Sequence, residues 1–199
     1  MIQLWKDVFV ALDVETTGLN PQIHEISQLS AVVATSTLQV DSRYPSFNMY
    51  IQPTNLAVIE SKALAKSHLT LDFLQAHGVD SSAALRYWHD WLRAATEKSG
   101  GRVIPIGFNY VFDRDFLISF MGYDAYNTTF GAHVRDVMRV FTYVYDRISF
   151  SEHNPGFTSF GLAKCCEALG VENIRAHDSL HDSIATLECY RRLMAIKFP

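Results

Sequence analysis

The chain is poor in cysteine, with three thiols, Cys165, Cys166 and Cys189, in 199 residues. An odd number with one adjacent pair argues against a disulfide framework and leaves no C-x-x-C metal pattern, so a reducing compartment is expected. No uninterrupted apolar stretch reaches about 18 residues, and no secretory signal precedes the first apolar strand pattern. The chain therefore reads as cytoplasmic, with no membrane partner. Basic residues are not in excess: Lys plus Arg number 17 against 21 Asp plus Glu, a net charge of -4. That balance argues against a broad basic face, so a polyanionic partner must be held locally. Only 19% of residues are charged, and no low-complexity run, repeat or linker occurs, which excludes a disordered tail and a coiled coil.

What is present is a hydrophobic content of 48%, enough to build one domain over 1–199. Residues 8–15, Val-Phe-Val-Ala-Leu-Asp-Val-Glu, predict a buried strand stopped by Thr16-Thr17-Gly18. Stretches 26–35 and 47–51 predict two more strands at hairpin-like separations, hence an antiparallel start. Ala84, Leu85, Trp88, Trp91, Leu92 and Ala95 recur at helical spacing up to Gly100-Gly101, and both tryptophans are best explained as core. Residues 103–108 predict a fourth strand and 111–121 a helix capped by Asn109. Further helices are expected over 160–169, closed by Gly170, and over 179–194; residues 134–145 fit strand or helix. The pattern predicts a mixed α/β sheet with helices on both faces.

Asp13 and Glu15 are two residues apart on a strand, so both carboxylates leave one face while Leu12 and Val14 take the other. Adjacent anions at the end of a buried strand raise each other's free energy unless a proton or a cation neutralises them, and a hard divalent metal does so most simply. The run Asp13-Val14-Glu15-Thr16-Thr17-Gly18-Leu19 joins a strand end, an acidic pair and a tight turn. A D-x-E-x-T-G-L match arises by chance only a few times in ~10⁴ chains of this length.

A third acid, Asp113, falls in the first turn of the helix at 111–121, where the helix dipole also favours a carboxylate. Its neighbours Arg114 and Asp115 are expected to pair with each other or with solvent. The last constellation is His177-Asp178-Ser179-Leu180-His181-Asp182-Ser183. With Ser179 as cap of the final helix, Asp182 lies in its first turn and His177 in the loop before it. Ser179 and Asp182 also have capping-box character. His177 and His181 have H-x-x-x-H spacing, but the Glu and third ligand of the familiar zinc pattern are missing.

Together these residues resemble the DEDDh class of the DnaQ-like 3′-5′ exonuclease superfamily, which includes proofreading subunits of DNA polymerases and RNase T. Asp13 and Glu15 fill its first motif, Asp113 in N-x-x-x-D-x-x-F-L its second, and His177 with Asp182 in H-x-x-x-x-D its third. Asp136 stands in the expected region between the last two. Phe108 replaces a frequent His and Ser179 a usual Ala, with no ligand lost. Ser67-His68-Leu69-Thr70 resembles the H-G-I-T stretch of relatives but lacks its Gly.

The resemblance implies an RNase H-like fold with three antiparallel strands leading into parallel ones. It implies two Mg²⁺ (or Mn²⁺) ions held by Asp13, Glu15, Asp113 and Asp182, and release of nucleoside 5′-monophosphates from a single-stranded 3′ end. Asp13 would bridge both ions, Glu15 and Asp182 would hold the one that activates water, Asp113 would support the site through water, and His177 would act as general base. Thr16, Leu19, Asn109 and His68 are the implied substrate contacts, with Leu19 against the terminal base. Lys62, Lys66, Arg114 and Arg175 are candidate phosphate contacts or solvated charges. Asp178 and the acidic cluster should favour the imidazolium of His177 and the metals oppose it, so activity is expected to rise from below pH 6.5 to an alkaline plateau. Oligoribonuclease-like members carry M-T-G-L where this chain has T-T-G-L, which favours single-stranded DNA over RNA. The chain stops at Lys197-Phe198-Pro199, so a freestanding enzyme is expected, although a polymerase or other protein could dock on the fold. The alternative is a catalytically silent binding module, whose mark would be a lost acid or His.

Overall fold

The computed structural model describes residues 7–97, 101–130, 133–152 and 159–197. Strands β1 (Val8–Thr16), β2 (Ile26–Ala34), β3 (Phe47–Tyr50), β4 (Val103–Gly107) and β5 (Arg135–Asp136) form one sheet in the order β3-β2-β1-β4-β5. β1 pairs antiparallel with β2 and β2 with β3, whereas β4 runs parallel to β1 and β5 parallel to β4. This is the expected sequence of three antiparallel strands followed by parallel ones.

Helices α1 (Ser61–Lys66), α2 (Leu71–His77) and α3 (Ser81–Thr96) separate β3 from β4. After β4 come α4 (Val111–Met121), α5 (Tyr123–Thr129), α6 (Val137–Glu152), α7 (Leu162–Leu169) and α8 (Ser179–Ala195). The alternation of β1 divides the core in two. Val10, Leu12 and Val14 pack with Trp88, Phe116 and Leu117 on one face, and Ala11 packs with Phe141, Cys165, Ala185 and Leu187 on the other. Both faces of the sheet are covered, which is why β2 is buried along its whole length.

The ambiguous stretch at 134–145 resolves into both alternatives, two residues of strand followed by the start of α6. The short helices α1, α2 and α5 escape a periodicity reading because none exceeds seven residues. Two expected caps are corrected. Asn109 does not cap α4; it takes a left-handed backbone (φ 60°) and Tyr110 precedes the helix with no side-chain cap. Ser179 does not cap α8 either, because the Asp178 carboxylate accepts from the Leu180 and His181 amides and Ser179 becomes the first helical residue. Gly170 closes α7 in the αL conformation, as its position predicts. Gly100, Phe198 and Pro199 lie outside the described residues. Among those described, no helix is long and apolar enough to cross a membrane.

Candidate active site

The site begins where β1 outruns its neighbour. Pairing with β4 ends at Ala11 opposite Ile106, while pairing with β2 continues to Thr16. The last residues of β1 thus have no β4 partner, and the Val14 amide donates instead to Asp113 Oδ1 at 3.1 Å. The same alternation sends Asp13 and Glu15 to the face covered by α8. The turn that follows is fixed from within: the Thr16 hydroxyl donates to the Gly18 carbonyl at 2.7 Å, and the Thr17 hydroxyl accepts from the Glu25 amide. A Cβ on Gly18 would stand 2.5 Å from the His24 ring, so only glycine fits against this buried histidine. Leu19 emerges from the turn 74% exposed.

From the opposite side α8 brings Asp182. Its Oδ2 accepts from the His177 amide at 3.1 Å and its Oδ1 from the Asn173 side chain at 2.6 Å. His177 holds a left-handed backbone (φ 67°), as do His68 and Asn109 (φ 57° and 60°). Of the four non-glycine residues with positive φ among those described, His68 and His177 line one cleft; the fourth is Leu38. Such strain persists only where the surroundings impose it. The N-terminus of α8 is anchored by a buried polar chain. The Ser179 and Ser30 hydroxyls lie 2.6 Å apart, Ser30 donates to Asn48 Oδ1, and Gln28 donates to the same oxygen. The expected Ser179–Asp182 capping box is absent, since the hydroxyl of Ser179 is spent on Ser30.

One ligand atom each from Glu15, His177 and Asp182 lies within 4.8 Å of the others, a group that could hold a metal ion. The other two acids join electrostatically. Asp13 is pushed well above the usual carboxylate range, first by burial and then by Asp113, Glu15 and Asp182, with Lys66 opposing. Glu15 is raised to about 8 by burial and then by Asp182, again against Lys66. Burial also raises Asp113 to about 8, although the Val14 amide pulls it back, and Asp182 moves up for the same reason against the pull of Asn173. These are desolvated carboxyls crowded together with a lysine nearby, and four carboxylate groups of that kind, with the His177 nitrogen beside Glu15 and Asp182, fit a divalent cation.

His177 departs from expectation. Burial holds its imidazole below the ordinary histidine value, and Lys66 and His68 add to this against Asp182. Asp178, expected to favour the imidazolium, is engaged in the helix cap and with His181 Nδ1 at 2.8 Å. His181 is not part of the group that could hold a metal ion, so among the described residues the H-x-x-x-H spacing makes no metal pair with His177. His68 and His177 line a cleft of ≈ 500 Å³ with Gln28, Tyr50, Phe73 and Arg175. The Asn109 amide donates to Asp136 Oδ1. Arg114 pairs with Asp115 as expected. Asn173, Gln28 and Ser30 were invisible to motif reading, since their role depends on loops and strands meeting α8.

A family model described as an exonuclease, RNase_T, matches residues 10–190. The chain belongs to this exonuclease family. The exonuclease is 24% identical over 186 residues to the 3′-5′ DNA exonuclease Cap18 of Escherichia coli, covering 94% of this chain and 91% of that one. It is 27% identical over 194 residues to ribonuclease T of Vibrio campbellii (strain ATCC BAA-1116), covering 91% and 82%. Its fold matches E. coli exonuclease I in complex with a dT13 oligonucleotide at a TM-score of 0.74 and 20% identity. That match covers 95% of this chain but 41% of exonuclease I, so the exonuclease spans about two fifths of the larger protein.

Proposed function

We propose that this exonuclease removes nucleotides from the 3′ end of single-stranded nucleic acid, with DNA favoured over RNA, in a reaction that depends on two divalent cations. The observation that carries the reading is the cluster of raised carboxyls, Asp13, Glu15, Asp113 and Asp182, beside a His177 imidazole held below its ordinary value. Cap18 is named for DNA and 3′-5′ polarity, and exonuclease I is bound to a thymidine oligonucleotide in its crystal structure. Both support the choice of substrate.

Asp13, Glu15, Asp113 and Asp182 would hold Mg²⁺ or Mn²⁺, whose charge stabilises the negative charge that develops on the entering and leaving oxygens of the phosphodiester. His177 supplies the base. Its imidazole is neutral at physiological pH because burial disfavours the charged form, so it can take a proton as the water oxygen adds to phosphorus. The bond from phosphorus to the 3′-oxygen of the preceding residue breaks, that oxygen takes a proton from solvent to leave a 3′-hydroxyl on the shortened strand, and a nucleoside 5′-monophosphate departs. The Asp182 side chain, which holds the His177 amide, fixes the loop that carries this base. Leu19 offers an exposed apolar surface to the terminal base, and His68 reaches the same substrate from the cleft wall.

The test is incubation of 5′-labelled single-stranded DNA and RNA with Mg²⁺, Mn²⁺ or EDTA. A ladder shortening from the 3′ end only with metal, faster on DNA, is the expected result. A stable mobility shift without shortening would instead mark a silent binding module.

A further inference from the structure

We propose that a cavity of ≈ 760 Å³ on the β5 side of the carboxylate cluster binds phosphates of the nucleic-acid strand upstream of its 3′-terminal residue. Four arginines line it, Arg102, Arg114, Arg135 and Arg139, against one carboxylate, Asp136. In a chain of net charge -4 this is a local concentration of guanidinium groups of the kind that the overall composition hides.

Among the described residues, two of the four are ion-paired within the protein and two, Arg102 and Arg135, are not. Arg114 is paired with Asp115, and Arg139 lies 3.4 Å from Asp136 with a side chain 73% exposed. Arg135 donates to a backbone carbonyl and sits over the Phe9 ring, neither of which cancels its charge. Among the described residues the guanidinium of Arg102 meets no acceptor; only its backbone is engaged, the amide with Asp7 and the carbonyl with the Val8 amide. Planar guanidinium groups without carboxylate partners suit the oxygens of phosphodiesters.

A second observation comes from the cavity wall. Tyr110 and Tyr126 are both more than nine-tenths buried, and their hydroxyls lie 2.8 Å apart. One hydrogen bond between them uses one of two phenolic protons, and among the described residues no acceptor receives the other. Both tyrosines line the cavity, so the remaining proton is available to an acceptor entering it.

Position supplies the third argument. In the sheet order β3-β2-β1-β4-β5, the cleft containing His68 and His177 lies toward β2 and β3, through Gln28 and Tyr50. The arginine-lined cavity lies at β5, and Val111 and Arg114 on its wall flank Asp113 on α4. The two openings thus stand on opposite sides of the acids borne by β1. A strand whose 3′ end occupies the cleft would cross the acids and reach the arginines, as a locally held polyanion requires. This inference rests on the proposed single-stranded substrate.

Binding is read without turnover, by fluorescence anisotropy in EDTA with labelled oligothymidylates of about 2 and about 12 nucleotides. The double variant Arg102→Gln/Arg135→Gln is compared with wild type, and Arg102→Gln alone, at an exposed side chain, serves if the double variant does not fold. The expected result is a Kd about tenfold weaker for the long strand and unchanged within about twofold for the short one, with the slope of log Kd against log salt shallower by about 1.4 for the two charges removed. Equal loss at both lengths, no loss at either, or no binding of the long strand by wild type overturns the proposal. So does thymidine 5′-monophosphate alone binding wild type but not the double variant, which would make the cavity a mononucleotide site. Failure of wild type to shorten any substrate would refute the proposed hydrolysis without altering this binding result.

Discussion

The Val14 amide and the Asp113 carboxylate, 99 residues apart in sequence, meet at 3.1 Å where β1 extends beyond β4. A backbone donor that a longer β4 would have consumed is left for a side chain. One contact thus seals a strand end and sets the position of an acid. Removing the acceptor should strand a buried amide, at a cost of about 1–3 kcal/mol.

Asp113→Asn keeps an acceptor oxygen and loses the charge, whereas Asp113→Ala loses both. Urea denaturation should give the Asn variant a stability close to wild type and the Ala variant about 1–3 kcal/mol less, while both lose nuclease activity. Equal stability of the two variants would show that the Val14 contact does not hold this strand end.

The raised carboxyls make the metal-free protein sensitive to pH. Glu15 and Asp113 hold their protons to about 8 in the folded state, against ordinary values near 4 when unfolded. Between those limits the folded protein binds more protons than the unfolded one, so stability falls as pH rises from about 4 to 8. In EDTA, Tm should decline across that window, and Glu15→Gln should flatten the decline while abolishing hydrolysis. Added Mg²⁺ should raise Tm more at pH 8 than at pH 6, because deprotonated ligands bind metal. A Tm in EDTA that climbs toward pH 8 would contradict the cluster's electrostatics.

His177 stands beside Glu15 and Asp182, within reach of a shared metal as well as of a reacting water. As general base, its replacement in His177→Ala should lower turnover by ~10²–10⁴ with metal affinity by calorimetry largely kept. A parallel loss of metal affinity would make it a ligand. Since burial lowers its proton affinity, the acid limb of the rate profile should fall below the ordinary histidine range, near 6.5, and reach a plateau above it. Rates that do not change between about pH 5.5 and 9 would remove it as the base.

Gly18 is held against His24, whose ring would meet an added Cβ at 2.5 Å. Gly18→Ala should cost about 1–3 kcal/mol by overpacking and disturb the turn that carries Leu19. Combining it with His24→Ala should recover part of that loss, because the obstructing ring is gone. A double-mutant cycle with no coupling would place the constraint elsewhere.

Much of this protein was already legible along the chain. Strand alternation put Asp13 and Glu15 on one face, and helical spacing and Gly170 delimited α4 and α7; these follow from local periodicity and turn chemistry, which depend on neighbours in sequence. Asp113, His177 and Asp182 were singled out instead by their resemblance to the DEDDh motifs. Caps were less legible: Asp178 and Ser179 are adjacent and both suited to the role, and the choice fell to Asp178 because the fold needs the Ser179 hydroxyl at Ser30. The direction of the shift at His177 was equally hidden, since it comes first from burial and then from Lys66 and His68 in the region of α1. The order of the acids is thus written in the sequence. How strongly they repel, which groups hold them and where arginines gather beside them arise only when distant segments share one low-dielectric space, because desolvation and Coulomb terms depend on distances that no linear spacing specifies.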